Sequence, residues 1–357
     1  MHLSLHKKAY KSVLLIANGH QEYRDDLINI SEQVLYIDPY AQEDNYLESL
    51  SGFKEFLNFN KVSSRTNIIY GSGLEDKLEI REYLDNNFPV VGNPFLKFHF
   101  LSNIYNLDKK LFLDEITLPE LSEEYHYKFI SKKYNSSGGI GVGNNHESVD
   151  GYFQKYIPGI TYSISFIAES NECKILGYNQ LFTVKDNSKY PFLHSGAMTI
   201  DENDLKIKFP QKWLNTFVNS YKISGFCSID FKIFDNKIFL LDFNPRLSSS
   251  YKLYKKKYNN LMYNHLGISS EYTIINNDNF AYIIFYAKED IIIDESIKYI
   301  KGMSDMPRIG EMIKKDSPIF TINIQANKKY NLIDELKIRI NSVMKIIDCY
   351  NTQLDYE

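Results

Sequence analysis

The sequence has few of the residues that build disulfide frameworks, zinc sites or membrane spans. Its 357 residues include only three cysteines, Cys173, Cys227 and Cys349, and no C-x-x-C pair. Cysteines this sparse and odd in number argue against a disulfide framework or a zinc cluster and favour a reducing compartment. The apolar run at residues 13–17 is too short for a signal peptide or a membrane span. We therefore expect a cytoplasmic protein with no membrane-embedded part.

The chain also lacks an excess of basic residues. Its formal net charge is −4, whereas proteins that bind nucleic acids neutralise phosphates with basic surfaces. We therefore expect no nucleic-acid partner. The 43% of hydrophobic and 24% of charged residues are ordinary for globular proteins. A length of 357 residues exceeds one ordinary single-core domain, so two or three domains are expected.

The first ninety residues alternate between short apolar runs and amphipathic stretches. Strand-like runs cover residues 13–17, 34–39, 67–71 and 90–92, and helix-like stretches cover residues 47–57 and 75–84. This alternation predicts a parallel sheet, in which ligands bind beyond the carboxyl ends of the strands. The candidate substrate contacts at these ends are Asn18, His20, Arg24, Gly71 and Ser72. The histidine could equally be a plain loop residue, and the arginine a plain surface residue.

A second pattern, at residues 228–246, predicts a β-hairpin. Two apolar runs flank the turn at Asp235-Asn236, and the alternation of each strand brings Asp230, Asp242 and Asn244 to one face. Leu241 and Phe243 should then point the other way, into a core. Oxygen ligands in this number suit Mg²⁺ shared with substrate phosphates. A solvent-facing hairpin with ordinary surface charges remains the alternative.

Anion binding is predicted at two places, one just after this hairpin and one upstream of it. Arg246 follows the hairpin and could hold a phosphate or a carboxylate with its planar guanidinium group. Upstream, a strand at residues 127–132 ends in Lys132 and precedes a glycine-rich stretch that includes Ser137, Gly138 and Gly139. Backbone N–H groups in such a loop can cradle a phosphate. The loop lacks the spacing of a P-loop, and a plain flexible loop is the alternative.

In this order, these segments resemble the ATP-grasp superfamily. The resemblance implies an α/β fold with a Rossmann-like N-terminal domain of parallel strands, a small α+β lid and a central and C-terminal α+β domain. The boundaries it implies are residues 1–95, 96–155, 156–251 and 252–357, the last being a C-terminal cap. The cofactors it implies are ATP and Mg²⁺, with Mn²⁺ as a possible substitute.

The resemblance also assigns nucleotide-binding and metal-binding roles to individual residues. Asp230, Asp242 and Asn244 match the metal ligands, although many relatives have Glu where this chain has Asp242. No acidic residue is found where relatives often hold the ribose. The nucleotide contacts that it implies are Lys109, Lys132, Ser137, Gly138, Gly139, Gln154, Tyr156, Ile157 and Thr161.

Further segments are similar to a narrower subgroup, the biotin-carboxylase-related predicted ATP-dependent carboligases. They include residues 70–75, 91–94 and 304–307. The activity implied is a carboxylate–amine ligase that forms an amide through an acyl phosphate and releases ADP and phosphate. Lys132 and Arg246 would be its catalytic residues, and small carboxylates and amines its partners, in a possible homodimer.

Two alternatives stay open. One is carboxylation through carboxyphosphate, which is disfavoured because the chain has no biotin-accepting Met-Lys-Met or Met-Lys-Leu segment. The other is a module that binds nucleotide without catalysis.

Other stretches have simpler interpretations. The resemblance implies that residues 190–197 face the acceptor pocket, where His194 is either a substrate contact or a packed loop histidine. Helices are predicted over residues 95–107 and 211–221, the latter packing behind the metal hairpin. The basic segment 252–258 is predicted to be a solvated helix face.

Overall fold

The computed structural model describes residues 8–19, 21–39, 45–112, 116–144, 150–169, 172–269 and 271–354. His20 lies outside the described residues. Among the described helices, none is both long and apolar enough to cross a bilayer. Strands and helices are numbered below in chain order.

The N-terminal strands form the predicted parallel sheet, in the order β2-β1-β3. Residues 13–17 of β1 are fully buried, as expected for a strand covered on both faces. The predicted fourth strand is reduced to an isolated bridge between Ile68 and Val90. The three strands are β1 (Tyr10–Ile16), β2 (Ser31–Ile37) and β3 (Asn67–Tyr70).

The largest sheet has ten strands in the described part of the chain, and it carries most of the core. Its order is β16-β18-β14-β11-β10-β9-β12-β13-β4, with β19 paired to β10. The C-terminal strands thus extend the same sheet that contains the hairpin. The strands are β4 (Ile116–Thr117), β9 (Thr161–Ala168), β10 (Cys173–Val184), β11 (His194–Ile200), β12 (Gly225–Phe234), β13 (Lys237–Asn244), β14 (Asn279–Tyr286), β16 (Met303–Ser304), β18 (Pro318–Ala326) and β19 (Thr352–Gln353).

Two smaller sheets complete the strands. The lid sheet has the order β5-β8-β6-β7, with β5 (Leu121–Ser122), β6 (Phe129–Lys133), β7 (Val142–Gly143) and β8 (Gly151–Lys155). The other sheet pairs β15 (Ile291–Ile292) with β17 (Met312–Ile313).

The helices cover the sheets. They are α1 (Gln21–Ile30), α2 (Leu50–Phe59), α3 (Leu78–Asn87), α4 (Phe95–Leu101), α5 (Gln211–Tyr221), α6 (Tyr251–Lys255), α7 (Leu261–His265) and α8 (Lys329–Met344). The helix predicted over residues 95–107 ends at Leu101 and resumes as a 3-10 turn at Ile104–Asn106. The predicted helix α5 is confirmed, and its Phe217 packs edge-on against Phe243 of the hairpin.

The hairpin of β12 and β13 has the predicted turn, since Asp235 and Asn236 both have positive φ angles. Asp230 lies directly opposite Asp242, but the next pair is Phe231 with Leu240. Leu241 is therefore the extra residue of a β-bulge. The prediction that Leu241 points into the core is wrong, because the bulge turns it towards a cavity, whereas Phe243 is fully buried as predicted.

The basic segment after the hairpin is also not the solvated face that was predicted. Lys252 in α6 is buried, with its Nζ 2.5 Å from Asp305 Oδ2 and 3.5 Å from Glu22 Oε2. Tyr251 of the same helix donates a hydrogen bond to Asp26 of α1. Helix α6 therefore joins the N-terminal domain to the C-terminal strands.

Candidate active site

A cavity of about 450 Å³ lies between the lid sheet and the ten-stranded sheet. One half is lined by the hairpin, the lid strands and the loop after β6. The other half is lined by β10, β11, β14 and the start of β18. The cavity wall therefore extends across several neighbouring strands of one sheet, from β13 to β14.

The hairpin brings the three predicted metal ligands to the cavity. Asp230, Asp242 and Asn244 all line it. Burial, reinforced by the charge of Asp242, raises the pKa of Asp230 to about 8. Burial also raises the pKa of Asp242, although Lys132 and Arg246 oppose the shift. Two neighbouring carboxylates repel each other when both are charged, and a bound cation would relieve this repulsion.

The donor set fits Mg²⁺. It consists of two carboxylates and one amide oxygen, and the described residues contain no cluster of three or more His, Cys, Asp or Glu side chains suited to a metal. Mg²⁺ is commonly bound by one or two carboxylates and completed by substrate phosphates and water, rather than by an all-protein cage. Mn²⁺ accepts the same oxygen donors.

Lys132 of β6 extends from the lid into the cavity. Its Nζ donates a hydrogen bond of 2.8 Å to the carbonyl of Leu241, the bulged residue. Burial alone would lower the pKa of Lys132, but Tyr152 and Asp242 raise it above its usual value. The lysine therefore keeps its charge beside the acidic pair, where it can neutralise a phosphate.

The glycine-rich loop closes one side of the cavity. Ser137, Gly138 and Gly139 line it, and the carbonyl of Gly138 accepts a hydrogen bond of 2.8 Å from the backbone N–H of His194. Gly139 has a φ of +78°, and a Cβ there would lie 1.8 Å from the carbonyl oxygen of Phe192. Only glycine can bring the loop this close to the segment that enters β11.

The connector after β8 lines the opposite side of the same half. Gln154, Tyr156, Ile157 and Thr161 all reach the cavity. Gln154 is 2% exposed, and its Oε1 has no hydrogen-bond partner among the described residues. An orphaned acceptor beside the cavity is satisfied when a ligand donates to it.

Sequence reasoning missed a further cation in this half, Lys232. It is buried, lines the cavity and donates a hydrogen bond of 2.8 Å to the carbonyl of Ile157. Its Nζ also lies 5.0 Å from the centre of the Tyr156 ring. The available signal was a lysine in an otherwise apolar strand, two residues after Asp230.

Arg246 lies at the end of the hairpin and is 5% exposed. Its Nη2 is 2.7 Å from Oε1 of Glu75, its Nη1 donates to the carbonyl of Leu247, and its Nε has no partner among the described residues. Arg246 lines the cavity. The positive charge of Arg246 is therefore held beside the cavity, where it can attract an anionic ligand.

Residues from the N-terminal sheet divide into two groups. Asn18 and Ser72 line the cavity. Gly71 does not, and it instead allows β3 to approach β1, because a Cβ there would lie 2.9 Å from the Cβ of Ala17. Arg24 stacks on Tyr36, 4.5 Å from the ring centre, because it lies on the face of α1 turned towards β2.

One predicted contact lies away from the cavity, and three serines that were not predicted line it. Lys109 is exposed on the 3-10 turn Lys109–Phe112 and is not part of the cavity wall. Sequence reasoning missed the serines after Arg246, since Ser248, Ser249 and Ser250 all line the cavity. Their only signal was the run of three small hydroxyl residues next to the hairpin.

His194 begins β11 in the second half of the cavity. Its Nε2 is 2.9 Å from the hydroxyl of Tyr282, and its carbonyl accepts a hydrogen bond of 2.9 Å from Tyr286. Burial lowers the pKa of His194 to about 4, so the imidazole is neutral near pH 7. The residue is held by its ring and by its backbone at the same time.

The family follows from a comparison with known proteins. A model of the ATP-grasp domain matches residues 75–250, which include Lys132, Asp230, Asp242, Asn244 and Arg246. Residues 75–250 form an ATP-grasp domain. The resemblance to this superfamily and the fold class are therefore confirmed, and the narrower carboligase subgroup stays a prediction.

Several ATP-grasp structures and one sequence relative are similar over most of this chain. An uncharacterized protein of Methanocaldococcus jannaschii is 25% identical over 341 residues, covering 86% of this chain and 82% of the relative. Biotin carboxylase from Campylobacter jejuni has a TM-score of 0.65 at 12% identity, covering 97% of this chain and 93% of its own.

Two further structures share the fold at the same level. The L-amino acid ligase from Bacillus licheniformis has a TM-score of 0.62 at 12% identity, with coverages of 98% and 100%. The N5-carboxyaminoimidazole synthase from Aspergillus clavatus has a TM-score of 0.64 at 11% identity, with coverages of 94% and 100%. At these identities the likeness establishes the ATP-grasp fold alone.

Proposed function

We propose that this ATP-grasp protein is a carboxylate–amine ligase that forms a carbon–nitrogen bond between small metabolites or amino acids. The observation that carries the proposal is the cross-strand pair Asp230 and Asp242 beside the charged Lys132, in a cavity that continues past them across β11 and β14. A nucleotide occupies the first half in this proposal, and the second half is left for an acceptor.

The first step is transfer of the γ-phosphate of ATP to a substrate carboxylate. Mg²⁺, held by Asp230, Asp242 and Asn244, would neutralise the phosphates. Lys132 and the loop at Ser137, Gly138 and Gly139 hold the phosphates from the lid side. An acyl phosphate and ADP result.

The substrate carboxylate binds at the junction of the two domains in this proposal. Arg246, Asn18, Ser72 and Ser248 to Ser250 all line the cavity and are the residues that we assign to this carboxylate. Charged and neutral donors fixed in advance stabilise the developing charge without reorganising. Closure of the lid keeps water from the acyl phosphate.

The second step is attack of an amine on the acyl phosphate, which gives an amide and phosphate. The L-amino acid ligase shares the fold over nearly the whole chain, and this supports the proposal. The N5-carboxyaminoimidazole synthase from Aspergillus clavatus binds ADP together with 5-aminoimidazole ribonucleotide, which supports a cavity for nucleotide and acceptor together.

The test is release of ADP from Mg-ATP by the purified protein. Amino acids, small carboxylic acids and bicarbonate are supplied, each with and without amines. Asp242→Asn replaces one carboxylate with an amide of nearly the same size and shape. Asp235→Asn, in the exposed turn of the same hairpin, is the matched control because asparagine tolerates its positive φ.

A ligase requires an acid and an amine together, and its turnover is lost in Asp242→Asn but kept in Asp235→Asn. Turnover with bicarbonate and no amine would instead establish carboxylation through carboxyphosphate. ATP binding without turnover on any acid would reduce the protein to a nucleotide-binding module.

A further inference from the structure

His194 has a position that the two-step scheme leaves unused. The residue begins β11 opposite Thr183, next to a β-bulge between Phe182 and Thr183. Bulges often re-aim a side chain beside an active site. His194 lies on the second half of the cavity, across the sheet from the hairpin.

The imidazole is anchored through one nitrogen only. Nε2 is 2.9 Å from the hydroxyl of Tyr282 in β14, and that hydroxyl also interacts with the side chain of Ser249. Nδ1 makes no hydrogen bond with the described residues, so it is the nitrogen left for a ligand in the cavity that the residue lines.

The surroundings of His194 indicate what the second half can hold. Its walls include Leu181, Leu193, Ile284 and the ring of Tyr190. Asp316 also lines this wall, where its Oδ1 accepts hydrogen bonds from Asn187 and Tyr350 and its Oδ2 lies 3.8 Å from Nζ of Lys189. Because the cations Lys189 and Lys315 line the same wall, a neutral amine suits this half better than an ammonium group.

From this geometry we infer that His194 is the proton acceptor for the attacking amine, and that the second half of the cavity takes a primary amine on an apolar body. The inference rests on the proposed function. In this role Nε2 carries the imidazole proton and donates a hydrogen bond to the Tyr282 hydroxyl, which leaves the lone pair of Nδ1 for the amine. Tyr282 holds the ring in place, as the third group of a catalytic triad does.

The step balances without a further reactant. The neutral amine attacks the carbonyl carbon of the acyl phosphate, and the carbon–nitrogen bond forms. The bond from that carbon to the phosphate oxygen breaks, and its electron pair leaves with phosphate. The amine proton passes to Nδ1 of His194 and then to the departing phosphate. An adjacent anion favours the protonated imidazole during this transfer.

The test separates formation of the acyl phosphate from its use. The protein is given Mg-ATP, the panel of acids and either hydroxylamine or one of two amines, butylamine and benzylamine. Hydroxylamine is mostly neutral at neutral pH and attacks an acyl phosphate without a base, so hydroxamate reports the first step. Amide formation from the basic amines reports the second step.

His194→Gln is the main variant, because its amide can still reach Tyr282 but has no basic nitrogen. We expect hydroxamate within about threefold of the wild type and a loss of amide of about 100-fold or more. Tyr282→Phe should lower the amide yield while sparing hydroxamate. Tyr330→Phe, exposed on α8 and absent from the cavity wall, should keep the wild-type ratio of the two products.

Three outcomes would overturn the inference. Unchanged amide formation in His194→Gln would exclude its role as proton acceptor. Equal loss of hydroxamate and amide would show that His194 only supports the structure. If the wild type forms neither product with any acid, the proposed ligase function itself fails, and this inference fails with it.

Discussion

Arg246 and Glu75 form a buried ion pair, with Nη2 2.7 Å from Oε1 and side chains only 5% and 8% exposed. Oε2 of Glu75 also accepts a hydrogen bond from the backbone N–H of Gly73. The carboxylate of Glu75 thus connects the end of the β12–β13 hairpin to the loop after β3. The position of Arg246 depends on the N-terminal domain.

Glu75→Gln should destabilise the protein by roughly 3 kcal/mol, because it leaves the Arg246 charge buried without its partner. Turnover should also fall, since the guanidinium group is released from its place. Urea denaturation and ADP release measure the two effects. Glu79→Gln, on the exposed face of the adjacent helix α3, should change neither. Equal stability of the two variants would show that the ion pair is not required.

The adjacent glycines of the lid loop allow a matched comparison. Gly138 and Gly139 both have positive φ, at +62° and +78°, so alanine strains both by about 1 kcal/mol. A Cβ has open space at Gly138 but would overlap the Phe192 carbonyl at Gly139. Gly139→Ala should therefore lower ADP release at least tenfold more than Gly138→Ala. Similar rates in the two variants would mean that this close contact is not used in turnover.

Lys232 should affect the nucleotide more than the chemistry. Lys232→Met removes a charged donor from the carbonyl of Ile157 and from the nucleotide half of the cavity. Loss of one such bond predicts a rise of about tenfold in the KM for ATP, with kcat changed less. Lys237→Met, exposed at the start of β13, is the control. A fall in kcat at constant KM would indicate that Lys232 acts in the reaction and not in nucleotide binding.

His265 should make the stability of the fold depend on pH. Its Nδ1 accepts a hydrogen bond of 3.0 Å from the backbone N–H of Phe226, and burial lowers its pKa to about 4. The unfolded chain binds this proton near pH 6.5 and the folded chain only near pH 4, so stability falls as pH drops through this window. The full contribution is roughly 3 kcal/mol.

Denaturation midpoints between pH 7 and pH 4 test this dependence. His265→Gln can keep the acceptor for Phe226 and cannot titrate, so its stability should fall less steeply. The exposed His126→Gln should follow the wild type. Parallel curves for all three proteins would assign the acid sensitivity to other groups.

The sequence predicted features that follow from local pattern. The turn at Asp235 and Asn236 fixed the hairpin, and the alternation along β12 and β13 brought Asp230 and Asp242 together. The parallel N-terminal sheet and α5 follow from the periodicity of buried residues in the same way. These are properties that neighbouring residues determine.

Features that depend on distant parts of the chain were not accessible from pattern. The bulge that exposes Leu241 is a property of strand pairing, which alternation within one strand does not record. Lys252 was expected in solvent, and its burial depends on Glu22 and Asp305, which are far away in sequence. Arg24 and Lys109 do not line the cavity, and their assigned roles in substrate and nucleotide binding stay predictions.

The contact between the glycine-rich loop and the start of β11 is made by backbone atoms, from the N–H of His194 to the carbonyl of Gly138. Side chains in the segment before β11 can therefore diverge without removing this contact. Substitutions at Tyr190 and Phe192 should therefore change which acceptor is preferred. A library of variants at these two positions would vary the substrate range and keep the backbone contact between the glycine-rich loop and β11.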